Sequence, residues 1–83
     1  MSDQPATAVP LASLTPGQKG KIAAIDLPGS QKGRVMEMGL TNGTLIEVVK
    51  VAPLGDPVEY KVRGGHISLR KAEAALIRVT PLA

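Results

Sequence analysis

Tyr60 is the one aromatic residue in a chain of 83, and the chain has no cysteine. A fold of this size must therefore hold together on aliphatic packing, with neither a disulfide nor a thiolate-bound zinc to staple it. The core draws on eight valines, five isoleucines and nine leucines. A chain this short buries only about 60–65% of the surface it exposes when unfolded, so it has few apolar side chains to spare.

The same scarcity excludes several functions. Grooves for Pro-rich peptides, base-stacking nucleic-acid platforms and methyl-lysine cages each need several aromatic faces. The net charge of +3 is mild, enough for weak attraction to anionic surfaces and short of a dedicated nucleic-acid binder. Charge or glycine interrupts every apolar run before the roughly 18–20 residues of a membrane span. Residues 1–10 lack both the basic start and the apolar stretch of a secretory signal. The expected location is cytoplasmic, with a membrane met only indirectly.

Residues 1–10 are polar, Pro-punctuated and without period, and read as a disordered lead-in; residues 11–83 read as one domain. Leu11 and Leu14 are spaced to plug one end of a core. Thr15-Pro16-Gly17 has the signature of a type II turn. A first strand is predicted over 20–27, then a helix over 31–38 with Ser30 as N-cap and Gly39 as its left-handed C-terminal stop. Leu40 should fold back onto Val35. Asn42-Gly43 tolerates successive positive φ angles and marks a turn. In the strand over 45–51, the Val48-Val49 doublet shifts the apolar parity and calls for a bulge.

Residues 53–57, Pro-Leu-Gly-Asp-Pro, form a rigid loop into the alternating strand Val58, Tyr60, Val62. Gly64-Gly65 is expected as a two-residue turn into a strand over 66–70. A single helical turn over 71–75 and a closing strand over 76–80 complete the chain. The predicted fold is mainly β: about five strands curled into a small SH3-like barrel, with one short helix after the first strand and a one-turn helix before the last. An OB-fold is the alternative.

Catalysis finds little support. His66 and Ser68 share a strand face, but no carboxylate on that strand orients the imidazole. The seven carboxylates, Asp3, Asp26, Glu37, Glu47, Asp56, Glu59 and Glu73, are spread over separate elements, and no metal motif emerges. Glu59 and His66 could face each other across the Gly64-Gly65 hairpin, but a turn there sets Arg63 opposite His66 and Glu59 opposite Arg70, which makes a Glu59–Arg70 ion pair the expected contact. Neither Gly64-Gly65 nor Gly17-Gln18-Lys19-Gly20 leads into a helix, so neither cradles phosphate. Lys19, Lys21, Lys61, Arg63, Arg70, Lys71 and Arg78 could gather on an outer face; a nucleic-acid-binding barrel using that face is the alternative function.

Apolar groups also fall where solvent is expected. Leu54 tips the Pro-bounded loop, and Met36 and Met38, two apart on a short helix, cannot both face the core. Such a surface points to a protein partner.

The segments LASLTPGQKGKIAAID and RVMEMGLTNGTLIEVVKVAPLGDPVEYKVRGGHISLRKAEAALIRV resemble the FeoA family of small ferrous-iron-transport accessory proteins. The specific blocks are Glu37-Met38-Gly39-Leu40-Thr41 with Gly43-Thr44, residues 52–57, and Arg63-Gly64 with Ile67-Ser68-Leu69-Arg70. The resemblance implies an SH3-like barrel acting in the cytosol beside FeoB, a membrane-embedded transporter with a GTPase domain. Related domains occur at the C-terminus of metal-dependent repressors. It also implies transition-metal binding, Fe2+ or another divalent ion, with no ligand residue matched here and no tightly bound cofactor expected. The expected docking residues are Met36, Met38 and Leu40 at the helix end and Pro53, Leu54, Gly55 and Asp56 in the loop. Weak self-association through the same apolar surface is the further expectation.

Overall fold

Period-two alternation in the second half of the chain, broken by bulges, produces a sheet that curls instead of lying flat. The computed structural model describes residues 8–82. Six antiparallel strands, β1 Val9–Pro10, β2 Lys19–Ile25, β3 Leu45–Val51, β4 Val58–Val62, β5 Gly65–Leu69 and β6 Ile77–Pro81, form one sheet in the order β1-β6-β2-β3-β4-β5. Helix α1 spans Gly29–Glu37 and the single-turn α2 spans Lys71–Ala74.

The sixth strand is β1, which the sequence reading placed in a disordered lead-in. Val9 and Pro10 pair with Val79 and Arg78 of β6. Proline is tolerated there because β1 lies at the sheet edge, where its missing N–H breaks no ladder. Residues 1–7 of that lead-in lie outside the described residues. A 3-10 turn, Leu11–Ser13, follows, and Leu11 and Leu14 are both buried against the core as their spacing suggests.

Two bulges bend the sheet. On β3 the pairing steps from Val48↔Tyr60 to Lys50↔Glu59, leaving Val49 as the extra residue, as the valine doublet foretold. On β2 it steps from Ile22↔Val79 to Ala24↔Arg78, leaving Ala23. Alternate residues of every long strand point to one aliphatic core, which includes Ile22, Ile46, Val48, Tyr60, Leu69, Ile77 and Val79 and holds no polar or charged residue among those described. Where β2 meets β6, Gly20 permits a close approach: a Cβ there would lie 3.0 Å from the Thr80 carbonyl oxygen and 3.2 Å from the Val79 Cβ, so the neighbours would have to give way.

The helix starts earlier than its apparent cap. Pro28 is the N-cap, its carbonyl accepting the Lys32 N–H at 2.7 Å, and Ser30 lies inside the first turn without capping it. At the far end Gly39 takes φ +105°, its N–H donating to the Met36 carbonyl while the Leu40 N–H donates to the Val35 carbonyl at 3.0 Å. This pair of bonds is a Schellman stop. Val35 is the one buried residue of the nine in α1, so the helix is held chiefly by its ends.

The β4–β5 turn differs from expectation by one residue. Val62 pairs with Gly65, so the turn residues are Arg63 and Gly64, and only Gly64 has positive φ, +77°. Sliding the register by two preserves which side chains face inward, so the apolar pattern could not choose between the two pairings. The consequence for Glu59 is direct. It lies opposite Ser68, not Arg70. No described residue other than glycine has positive φ, so Asn42 is also in ordinary conformation.

Candidate docking surface

The loop between β3 and β4 closes on itself. The Gly55 N–H donates to the Ala52 carbonyl at 2.7 Å, and the Ala52 N–H donates to the Pro57 carbonyl at 3.0 Å. Leu54 sits at its tip with 96% of its surface exposed. Pro53 and Asp56 are exposed too, and Gly55 is half-buried. A leucine held out in water by a hydrogen-bonded loop is an apolar anchor with little conformational entropy left to lose on binding.

The loop is tied to α2 and, through it, to α1. Asp56 Oδ1 accepts the Lys71 N–H at 2.9 Å. Glu73 Oε1 accepts the Arg70 N–H at 3.0 Å, one half of a capping box. The other oxygen of Glu73 accepts from Arg34 Nη2 of α1 at 2.9 Å, a contact spanning 39 residues of sequence. These bonds frame an open cleft of about 360 Å³ lined by Arg34, Asp56, Pro57, Ser68, Arg70 and Glu73. The cleft carries two guanidinium groups and two carboxylates, so it is polar and close to neutral. Neither Arg34 nor Glu73 was singled out from the sequence for this cleft; Glu73 three residues after the N-cap Arg70 is the one local signal that could have found part of it.

The expected docking residues do not all converge. Leu40 is fully buried, packed under the end of α1, and cannot touch a partner; its role is structural. Met36 and Met38 are 43% and 46% exposed, on different flanks of the helix. Met38 lies one turn beyond Arg34 and is not among the residues lining the cleft. Met36 joins Lys32, Asp26 and Asn42 around a separate groove of about 550 Å³. The loop with its framing cleft is the better-formed unit.

On β4 and β5, Glu59 Oε2 lies 3.2 Å from His66 Nδ1, and its other oxygen is 4.0 Å from Lys50 Nζ. This replaces the expected Glu59–Arg70 pair, because the shifted turn brings Glu59 within reach of His66 and away from Arg70. It also gives His66 the orienting carboxylate that its own strand lacks. Ser68 makes no hydrogen bond to His66, and the exposed strand surface offers no enclosed substrate site. Among the described residues no three His, Cys, Asp or Glu side chains converge. Glu59 and His66 supply two donors, fewer than the three protein ligands of a catalytic zinc-type centre.

A model of the FeoA domain family matches residues 9–81. The chain belongs to the FeoA family. A Porphyromonas gingivalis protein that joins Fe(2+) transport protein A to the Fe(2+) transporter FeoB is 39% identical over 69 residues. That match takes in 83% of this chain and 8% of the fusion protein, so the chain spans a small fraction of that relative. The solution structure of the FeoA protein from Chlorobium tepidum superimposes with a TM-score of 0.87 at 32% identity, covering 90% of this chain and 71% of that one. Zinc-complexed FeoA of Stenotrophomonas maltophilia, described as a prokaryotic SH3 domain protein, aligns with a TM-score of 0.74 at 23% identity, covering 87% and 93%. That likeness concerns the fold. The mainly β, SH3-like expectation and the family resemblance both hold, with six strands in place of about five. Among the described residues no helix is long and apolar enough to cross a membrane.

Proposed function

We propose that this FeoA-family chain is a non-enzymatic accessory protein of ferrous iron transport that docks on the cytosolic side of a FeoB-type GTPase transporter. Leu54 carries this reading: an exposed leucine at the tip of a loop closed by its own hydrogen bonds and tied to α2 through Asp56. Pro53, Gly55 and Met38 extend the contact to either side. The fusion relative, in which transport protein A and the transporter FeoB are one polypeptide, supports a pairing of the same kind here. Iron is the transporter's cargo in this reading, and no step needs a metal on this chain.

Burying one leucine contributes about 1.5–3 kcal/mol, and an aspartate in its place leaves a carboxylate in an apolar contact. Leu54→Asp should therefore weaken binding to the GTPase domain of a FeoB-type transporter at least roughly tenfold, measured by calorimetry in the GTP and GDP states. The unfolding midpoint should not move, since the side chain touches little of its own protein. Equal affinity of variant and parent would overturn the assignment.

A further inference from the structure

We infer that the outer face of β2, β3 and β4 is a contact surface for an anionic lipid membrane. Register places Lys21 beside Leu45 and Lys19 beside Glu47, and Glu47 in turn beside Lys61. Arg63 follows two residues after Lys61, at the turn. The result is a cation on each flank of two central residues, one of them Leu45, which is 46% exposed. Lys19, Lys61 and Arg63 line one shallow cleft of about 520 Å³ with Leu45 and Glu47. None of Lys19, Lys21, Lys61 and Arg63 forms an ion pair among the described residues, whereas Arg34 and Lys50 do. On the outer face of these strands Lys19, Lys21, Lys50, Lys61 and Arg63 stand against Glu47 and Glu59, and Glu59 is taken up by Lys50 and His66, which leaves the end around Leu45 net positive.

The chemistry favours a bilayer over other anions. An exposed leucine set among cations suits the headgroup boundary, where apolar insertion and phosphate attraction act together. A nucleic acid would gain nothing from Leu45, and the face carries no aromatic ring for a base to stack on. The four side chains have no hydrogen bonds fixing them in one geometry. Mobile lipid phosphates can adapt to such groups, while a rigid acidic protein would meet them unpositioned.

The surface is separate from the Leu54 loop. The turn at Arg63 and Gly64 lies at one end of the β3–β4 pair and the loop at the other, about 20 Å apart at the usual rise per residue. Both can be engaged at once, so the inference does not rest on the docking proposal.

The test is flotation of the full chain with vesicles of equal parts phosphatidylglycerol and phosphatidylcholine, beside vesicles of phosphatidylcholine alone. Binding is expected on the anionic vesicles only, falling with salt as screening over about 8 Å at physiological ionic strength takes hold. Each Lys or Arg near an anionic surface strengthens binding about fivefold, so Lys61→Gln with Arg63→Gln should weaken it roughly 25-fold. Lys19→Gln with Lys21→Gln should do the same and serves if the first pair disturbs the turn. Leu54→Asp should leave vesicle binding unchanged. Equal binding to both vesicle types, none to either, or indifference to both double variants would overturn the inference. So would tighter retention on duplex DNA or polyglutamate than on anionic vesicles at the same salt.

Discussion

Leu40→Ala should lower the unfolding free energy by about 2–5 kcal/mol. The side chain is fully buried beside Val35, and the site cannot collapse readily because the backbone on both sides is fixed. Before it stands Gly39 at φ +105°, and the Leu40 N–H is held by the Val35 carbonyl. Helix α1 has only Val35 buried along its length, so Leu40 is the second of two buried side chains that fasten it to the core, beside the exposed Arg34–Glu73 pair. A domain of this length commands roughly 4–12 kcal/mol in all, and the upper part of the expected loss would leave much of the chain unfolded. Urea titration measures it, with the slope of the transition unchanged if the denatured state is unaltered. Met38→Ala, two residues earlier and half exposed, should stay within about 0.5 kcal/mol. A loss below about 1 kcal/mol for Leu40→Ala would mean that the helix end is not anchored through this side chain.

That contrast shows where the sequence was legible. Gly39 followed by Leu40 is a stop signal with one physical outcome, and both the left-handed glycine and the return of Leu40 to Val35 were readable. The same reasoning, applied to function, also counted Leu40 among docking residues, although a residue that folds back onto the core is no longer available to a partner. The bulge at Val49 was readable because two adjacent valines cannot both face inward. The bulge at Ala23 was not read, although Ile22 and Ile25, three apart and both buried, break the parity; the two small alanines between them leave open which residue is the extra one. The β4–β5 register failed for a similar reason: a slide of two residues keeps every inward side chain inward, and two consecutive glycines could each have supplied the turn's positive φ.

The surface was legible in its parts and not in its assembly. Pro53 and Pro57 announced a stiff loop with Leu54 outside, and the exposure of Leu54 agrees. What fastens that loop lies far away in sequence. Asp56 reaches the start of α2 fifteen residues on, and Glu73 of α2 reaches Arg34 across thirty-nine. Such contacts depend on the curling of the whole sheet, which brings Arg34 of α1, Glu73 of α2 and Asp56 of the loop around one cleft. Local propensity contains no trace of them. The Met36 and Met38 pair shows the opposite error: neighbours in sequence, they sit on different flanks of α1 because residues two apart on a helix are turned well away from each other.

Tyr60 offers a prediction that the composition makes unusually clean. Its phenol is pushed up from the usual 10.0 to about 12, chiefly by burial and secondarily by the nearby Asp56 carboxylate. The folded protein therefore holds this proton at a pH where the unfolded chain has released it. Stability from the neutral phenol is complete below pH 10 and is lost as pH rises through the folded value near 12. Two pH units would correspond to about 2.7 kcal/mol in full. Screening at the hydroxyl end, beside the exposed Asp56, reduces the expected loss to about 2 kcal/mol. The comparison is with Tyr60→Phe, which keeps the ring in the core and removes the proton. The stability of the parent relative to Tyr60→Phe should fall by that amount between pH 9 and pH 12 or just above, read from urea titrations at each pH. Because Tyr60 is the one aromatic residue of the chain, the phenolate absorbance of the folded protein reports it alone and should rise near 12. Phenolate appearing near 10 in the folded protein, with parent and variant losing stability in parallel, would show that burial does not hold the proton on this phenol.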